Sequence, residues 1–554
     1  MSSGLFFYGS VLGFFLFAAI LSFVYYRGTA LLHFLQQEEY DNDRFLRWLF
    51  RRRVFDKKAT LLILISFILW YFLKEQNPPL YNFILLTLFI PALIIGIMTS
   101  RPTKKAKKPL VMTARAQRIL YTYLVLIGFY FSGILLTFEK ENLTALMLSF
   151  VVFFQWPPFF LVAANFILIP VEEIIAARYV KQARNKMKDL NPVIIAVTGS
   201  YGKTSIKHLL SHILSSMAPT LATPGSVNTI MGVTRIIREN LEKKHRYFVV
   251  EMGAYGSGSI KKLCQLAPPQ LGIISGVGLA HFERFKSLRT VFKSKFEMAN
   301  DLNARDKKTI INGSEIPDYL LKPYMKQNQH LVVCGSPEEP NPGAVNLVKC
   351  RQTTDGLEIE LKVSSNGSSK IMALKVPLYG EHQGTNVMLA AAAALNIGVP
   401  MEVIKASLKT MPQIRHRLEV TRTKAGPLII DDAYNSNPTG FASALETLKV
   451  LKNPGGRAIL ITPGMVELGK KHGAQHHRLG EEAGKIVNVA LVVGPARIKS
   501  FIEGFQKTAP KSSVLKTFET QKEAEDWVNE NARKNDVVLF ENNLPDIYEA
   551  EIRY

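Results

Sequence analysis

Cysteine is scarce. Cys264, Cys334 and Cys350 are the only three in 554 residues, and none stands at metal-ligand spacing from another, which excludes a disulfide scaffold or a zinc ribbon. They read as reduced, cytosolic core residues. Acidic residues are also in short supply, 45 against 68 Lys and Arg, leaving a net charge of +23. A basic excess of that size raises the question of nucleic acid. Yet residues 1–190 hold 22 of the basic and 11 of the acidic side chains. Nearly half the excess therefore lies in an apolar N-terminal third, where attraction to anionic lipid accounts for it. No nucleic-acid partner is expected.

Charge itself is missing from three runs of about 20 residues, 5–26, 80–99 and 119–138, each long enough to cross a bilayer as a helix. Two less regular stretches accompany them: 59–73, flanked by Lys58 and Lys74, and 144–171, interrupted by Pro157 and Pro158. Together they predict a transmembrane α-helical bundle of about five spans over residues 1–175. The first run lacks the basic flank of a signal peptide. Arg44, Arg47, Arg51, Arg52, Arg53, Lys57 and Lys58 follow it, Arg101, Lys104, Lys105, Lys107, Lys108, Arg115 and Arg118 follow the third, and the alternate loops are nearly neutral. The positive-inside rule then sets the N-terminus outside and everything after the fifth span in the cytoplasm. Residues 176–191 read as a charged linker helix ended by Asn191-Pro192.

A glycine is missing as well. The commonest phosphate loop has one five residues before its Gly-Lys pair, where this chain has Val197. What remains is "VTGSYGKTS", residues 197–205, set between an apolar run and a helical pattern. Strand, loop and helix in that order suit phosphate binding. The N–H groups of Gly199, Ser200, Gly202, Lys203, Thr204 and Ser205 would face nucleotide phosphates at a helix N-terminus, with the Lys203 ammonium neutralising them and the Thr204 hydroxyl on Mg²⁺. Further apolar runs alternate with helical stretches to about residue 413 and the alternation restarts at 414. Two α/β domains with parallel sheets, 192–413 and 414–554, follow from this.

The loop resembles that of the Mur ligases, ATP-dependent enzymes that join amino acids to a cell-wall precursor. The likeness runs over about residues 192–535. "TPGSVNTIMGV" is similar to a substrate-side loop and points to Asn228; "VVEMG" puts Glu251 at the magnesium-binding glutamate; "GVGLAHFERF" offers His281 as a second metal-binding position; "KSKFEMANDL" offers Lys295 at the lysine these enzymes carbamoylate. "GEHQGTN" supplies His382 and Asn386 near the adenine, and "RHRLEV" supplies Arg417 at the γ-phosphate. "DDAYNSNP" resembles the D-alanyl-D-alanine-adding, MurF-type branch, and contributes Asp431, Asp432 and Asn435 toward the nucleotide and Tyr434 toward the substrate. "GMVELGKKHGAQHHRLG" follows the same branch with Glu467 and His476.

The resemblance implies a bacterial plasma-membrane ligase with a central ATP-binding domain and a Rossmann-like C-terminal domain. The γ-phosphoryl group of ATP would activate a carboxylate as an acyl phosphate, which an amine then captures. Lys203, Arg417 and two Mg²⁺ ions would neutralise the converging anions. Thr204 and Glu251 would hold one ion, His281 and carbamoylated Lys295 the other. The partners implied are a UDP-linked or lipid-linked cell-wall precursor and an amino acid or dipeptide such as D-alanyl-D-alanine. Two features depart from the family. The spans occupy the place of its UDP-binding domain, and "FENNLPD" sets Glu541 where a Lys-Gly-Ser-like motif is usual. A synthetase of another surface polymer, such as poly-γ-glutamate, stays open on the second departure. A transport ATPase is disfavoured, because the spans hold few polar residues to line a path.

Overall fold

The computed structural model describes residues 2–52, 109–137, 152–278, 287–335, 343–365, 368–422, 426–434, 436–466 and 468–544, with isolated positions between 61 and 94. Residues up to Ile175 form one unit and Ala176–Leu544 another.

In the first unit, α1 (Ser2–Gln37), α2 (Asn42–Arg52) and α3 (Ala114–Thr137) precede α4 (Pro157–Leu190). The basic segment that follows the first apolar run is helical over 27–37 and 42–52. α1 runs on to Gln37, and α2 buries Phe45, Trp48 and Leu49 while Arg47 and Arg51 stay exposed. The linker helix expected at 176–191 is the distal part of α4, which carries Pro170 in its interior and stops where Asn191 turns left-handed, at φ 41°, before Pro192. Among the described residues, α4 is the one helix long and apolar enough to cross a membrane. The runs 59–73 and 80–99 lie, but for isolated positions, outside the described residues.

The second unit holds three sheets. β1 (Val193–Thr198), β2 (Thr220–Ala222), β3 (Tyr247–Glu251), β4 (Leu271–Ile274), β5 (Lys308–Asn312) and β6 (Leu331–Cys334) form a parallel sheet in the order β2-β3-β1-β4-β5-β6. Its strands are nearly continuous apolar runs because both faces are covered: one by α5 (Lys203–Ser215), the other by α6 (Ile230–Asn240), α7 (Ser259–Leu266) and α8 (Leu288–Asn303). An antiparallel sheet that the alternating pattern did not foretell, β7 (Val345–Thr353), β8 (Gly356–Ser365) and β9 (Ser368–Val376), follows. It packs on α9 (Gln383–Asn396), whose run of five alanines, fully buried, brings that helix close to α5.

The C-terminal sheet has the order β10-β11-β15-β12-β13-β14, from β10 (Glu419–Arg422), β11 (Leu428–Asp432), β12 (Ala458–Thr462), β13 (Val489–Val493), β14 (Val514–Phe518) and β15 (Val537–Glu541). All pair in parallel except the edge strand β10. Its two faces have apolar cores of their own. The sheet of β1–β6 and the sheet of β10–β15 thus have separate cores within one unit.

Candidate active site

The phosphate-loop segment leaves β1 and enters α5 through two left-handed glycines, Gly199 at φ 148° and Gly202 at φ 77°. A Cβ on Gly199 would overlap the Ser275 side chain, and one on Gly202 would overlap the Asn386 amide. Glycine is required at both places by backbone conformation and by space. Ser200 locks the loop, its hydroxyl accepting the Gly278 N–H at 2.8 Å, while the Ser275 hydroxyl donates to the Tyr201 carbonyl. Lys203 folds back over the loop and donates to the carbonyls of Gly199 at 2.9 Å and Ser200 at 3.4 Å. Burial lowers its ammonium's pKa, Glu251 opposes that shift and Arg417 adds to it. Ser205 is buried one turn into α5.

Glu251, the last residue of β3, is the hub of this half. One carboxylate oxygen accepts the Thr204 hydroxyl at 3.0 Å and the Lys207 ammonium at 3.2 Å. The other accepts the Asn228 amide at 3.0 Å. Asn228 in turn accepts the Tyr255 hydroxyl at 2.7 Å, so the residue expected toward substrate has its side chain on the glutamate. Lys207 was not anticipated. It is fully buried, pairs with Glu251, and also donates to the Gly225 carbonyl. The signal lay in the spacing: Lys207 is one turn after Lys203, on a stripe otherwise made of Ile206, Leu209 and Leu210.

Lys295 lies on α8, buried to 4% exposure. Desolvation, then the neighbouring Lys203, push its pKa well below the usual lysine range. Glu297, two residues on, points elsewhere and caps α7 by accepting the Gly258 and Lys261 N–H groups. His281 lies outside the described residues, as do Asn435 and Glu467.

From the C-terminal side, Arg417 sits between His416 and Leu418, both left-handed, at φ 57° and 48°. Its guanidinium lies over the Tyr434 ring, 4.9 Å from the centroid. The Tyr434 hydroxyl donates to that of Ser226 in the loop leading to Asn228. The Arg417 charge is felt by Lys203, His382, Asp432 and Glu541 alike. His382 has Nδ1 2.9 Å from the Ser443 hydroxyl, and burial, reinforced by Arg417, lowers its pKa to about 4. Asn386, on α9, donates to Gln383 at 2.8 Å and borders Gly202.

The two aspartates expected at the nucleotide part company. Asp431 takes His416 Nδ1 at 2.7 Å. Asp432 accepts the Leu418 N–H at 3.3 Å and stands in register with Glu541 on the neighbouring strand. Burial raises the Asp432 pKa to about 6 against the pull of Arg417, and burial together with Asp432 raises that of Glu541 well above the carboxylate range. Lys203, Thr204, Glu251, Lys295, His382, Asn386, Arg417, Asp432, Tyr434 and Glu541 therefore surround one region between the two sheets.

Residues 197–394 match the Mur ligase middle domain and residues 416–541 the Mur ligase, glutamate ligase domain. The UDP-N-acetylmuramoyl-tripeptide–D-alanyl-D-alanine ligase of Buchnera aphidicola subsp. Baizongia pistaciae is 31% identical over 52% of this chain and 60% of its own length. That of Escherichia coli is 30% identical over 52% of this chain and 62% of its own. The match therefore takes in about three fifths of each relative. A crystal structure of MurF from Acinetobacter baumannii superposes with a TM-score of 0.57 at 26% identity, covering 67% of this chain and 78% of that one. With the middle and C-terminal domains both present, in order and around one cleft, the chain belongs to the Mur ligase family.

Proposed function

We propose that this chain is an ATP-dependent, ADP-forming ligase of the MurF type, which joins D-alanyl-D-alanine to the terminal carboxylate of a UDP-N-acetylmuramoyl-tripeptide. The observation that carries the reading is the convergence of Lys203, Glu251, Lys295 and Arg417, contributed by two separate sheets, on one cleft. A carboxylate is a poor electrophile. Phosphorylation by ATP makes it an acyl phosphate, and the amine then displaces phosphate.

Lys203 leaves its loop carbonyls for the β- and γ-phosphates, which the N–H groups at the start of α5 also face. Arg417 meets the γ-phosphoryl group from the other sheet and stabilises the charge that builds during transfer. The donor set at Glu251 fits magnesium, since the Thr204 hydroxyl and the Glu251 carboxylate are hard oxygens 3.0 Å apart. Magnesium bound there supplies charge neutralisation between nucleotide phosphates. Lys295, its ammonium form disfavoured by burial beside Lys203, is suited to take up CO₂. As a carbamate it would offer oxygen ligands for a second magnesium, with His281 as the other expected ligand. His382 and Asn386 border the nucleotide side, and the Tyr434 hydroxyl bonds Ser226 between the middle and C-terminal domains.

The same reading sets residues 1–175 in the plasma membrane, with the N-terminus outside and residues 192–554 in the cytoplasm. Support comes from α3 and α4, which expose Tyr121, Val125, Phe129, Phe166 and Ile174. A lipid-linked acceptor is the second reading this favours. The deciding experiment offers ATP and D-alanyl-D-alanine with UDP-linked or lipid-linked muramoyl-tripeptide and identifies products by mass spectrometry. A pentapeptide product is expected, with ADP release that falls about 10³-fold in Lys203→Ala. Unchanged ADP release in that variant, or no amide with either acceptor, refutes the reading.

A further inference from the structure

We propose that Asp432 and Glu541 form the receptor for the ammonium group of the incoming amine, and that Glu541 takes a proton from it. This rests on the ligase reading above and adds the group that readies the nucleophile.

Asp432 ends β11 and Glu541 ends β15, directly opposite each other in a parallel pair. They lie at the carboxyl ends of the strands, where open α/β sheets bind their ligands. Glu541 has no solvent exposure. One of its oxygens accepts the Ser436 hydroxyl; the other has no hydrogen-bond partner among the described residues. An orphaned carboxylate oxygen beside a second buried carboxylate is costly, and a cation with N–H groups to donate removes that cost. Among the described residues, Asp432 and Arg417 are the charged groups that act on Glu541. The Arg417 charge reaches both the acid pair and Lys203, so the pair borders the cleft in which the acyl phosphate forms.

The proton balance is simple. The ammonium gives one proton to the Glu541 carboxylate, which becomes a carboxylic acid. The freed lone pair attacks the acyl carbon, the new C–N bond forms, and the C–O bond to phosphorus breaks. Phosphate leaves with that electron pair and takes the second N–H proton. Burial, which favours the protonated form of Glu541, suits it to accept.

The test uses the full chain in detergent with ATP, UDP-N-acetylmuramoyl-tripeptide and either D-alanyl-D-alanine or hydroxylamine. Hydroxylamine is already unprotonated at neutral pH and traps the acyl phosphate without a base. Glu541→Gln is expected to lower peptide formation about 100-fold more than hydroxamate formation, and to lose the acid limb of the kcat profile, with a raised KM for the dipeptide. Glu541→Asp restores part of the rate. Ser436→Ala keeps both carboxylates but removes a donor to the ionised form, so it moves the acid limb to higher pH. Peptide formation by Glu541→Gln at the wild-type rate and KM overturns the proposal; so does equal loss of hydroxamate and peptide, or an unmoved limb in Ser436→Ala. Wild-type enzyme that yields no hydroxamate overturns the ligase reading instead.

Discussion

His476 shows how much one buried ring commits. It is fully buried, its Nδ1 donates to the His472 carbonyl at 2.8 Å, and its Nε2 accepts the Met465 N–H at 2.9 Å. That pairing demands the neutral ring, and burial lowers the pKa to about 4. The unfolded state binds the proton more readily, so the stabilisation is complete above pH 6.5 and is lost as pH falls from there toward about 4. The amount is on the order of 3 kcal/mol. Asp432, with its pKa raised to about 6, works the other way and gains stability as pH falls through that value. The clean measurement is therefore a difference: thermal melts of wild type and His476→Gln between pH 7 and 4, with the gap in Tm narrowing in acid. Lys295 offers a second prediction. Enzyme stripped of CO₂ is expected to recover activity with bicarbonate, and Lys295→Arg to stay inactive under both conditions, as followed by ADP release. The lysine's place in a resemblance was readable from "KSKFEMANDL"; its environment was not, because burial beside Lys203 depends on how α8 meets the phosphate loop.

At the scale of elements, α5 and β3 are joined by the Lys207–Glu251 pair, with both side chains essentially unexposed. Removing one partner strands a buried charge and costs about 3–5 kcal/mol, whereas replacing both costs much less. Lys207→Met is accordingly expected to destabilise strongly and Lys207→Met with Glu251→Gln to recover much of the loss, as measured by a double-mutant cycle in urea. Local patterns were legible where one short segment holds the whole signal: "VIIAVTGSYGKTS" encodes strand, loop and helix start, and the apolar runs mark the buried parallel strands. The antiparallel β7–β9 sheet was missed because it interrupts the strand–helix alternation, and Lys207 because its partner lies 44 residues away. The parting of Asp431 and Asp432 was invisible for a similar reason. Adjacent strand residues point to opposite faces, and which neighbour each meets depends on β15 inserting between β11 and β12.

At the scale of the molecule, the question is what covers the N-terminal helices. α3 exposes Tyr121, Val125 and Phe129, four residues apart on one stripe, with Phe129 at 72%. α4 exposes Phe166, Ile167, Ile169, Val171 and Ile174, with Ile174 at 71%. Large exposed apolar patches mark surfaces that a membrane or a partner covers. The opposite sides of the same helices pack: Ile119, Leu120, Tyr123, Leu161 and Ala164 share one core, and Arg118 grips Glu172 through two bonds of 2.6 and 2.9 Å. On the proposed membrane reading, a bilayer's interior would cover these outer residues. Fractionation of cells expressing the full chain is expected to bring it down with membranes. Alkaline carbonate or high salt, which removes proteins held by charge, is expected to leave it there, and detergent to release it. Release by salt would mean that the basic side chains alone hold the protein, and would leave the apolar stripes of α3 and α4 to be covered by another protein chain.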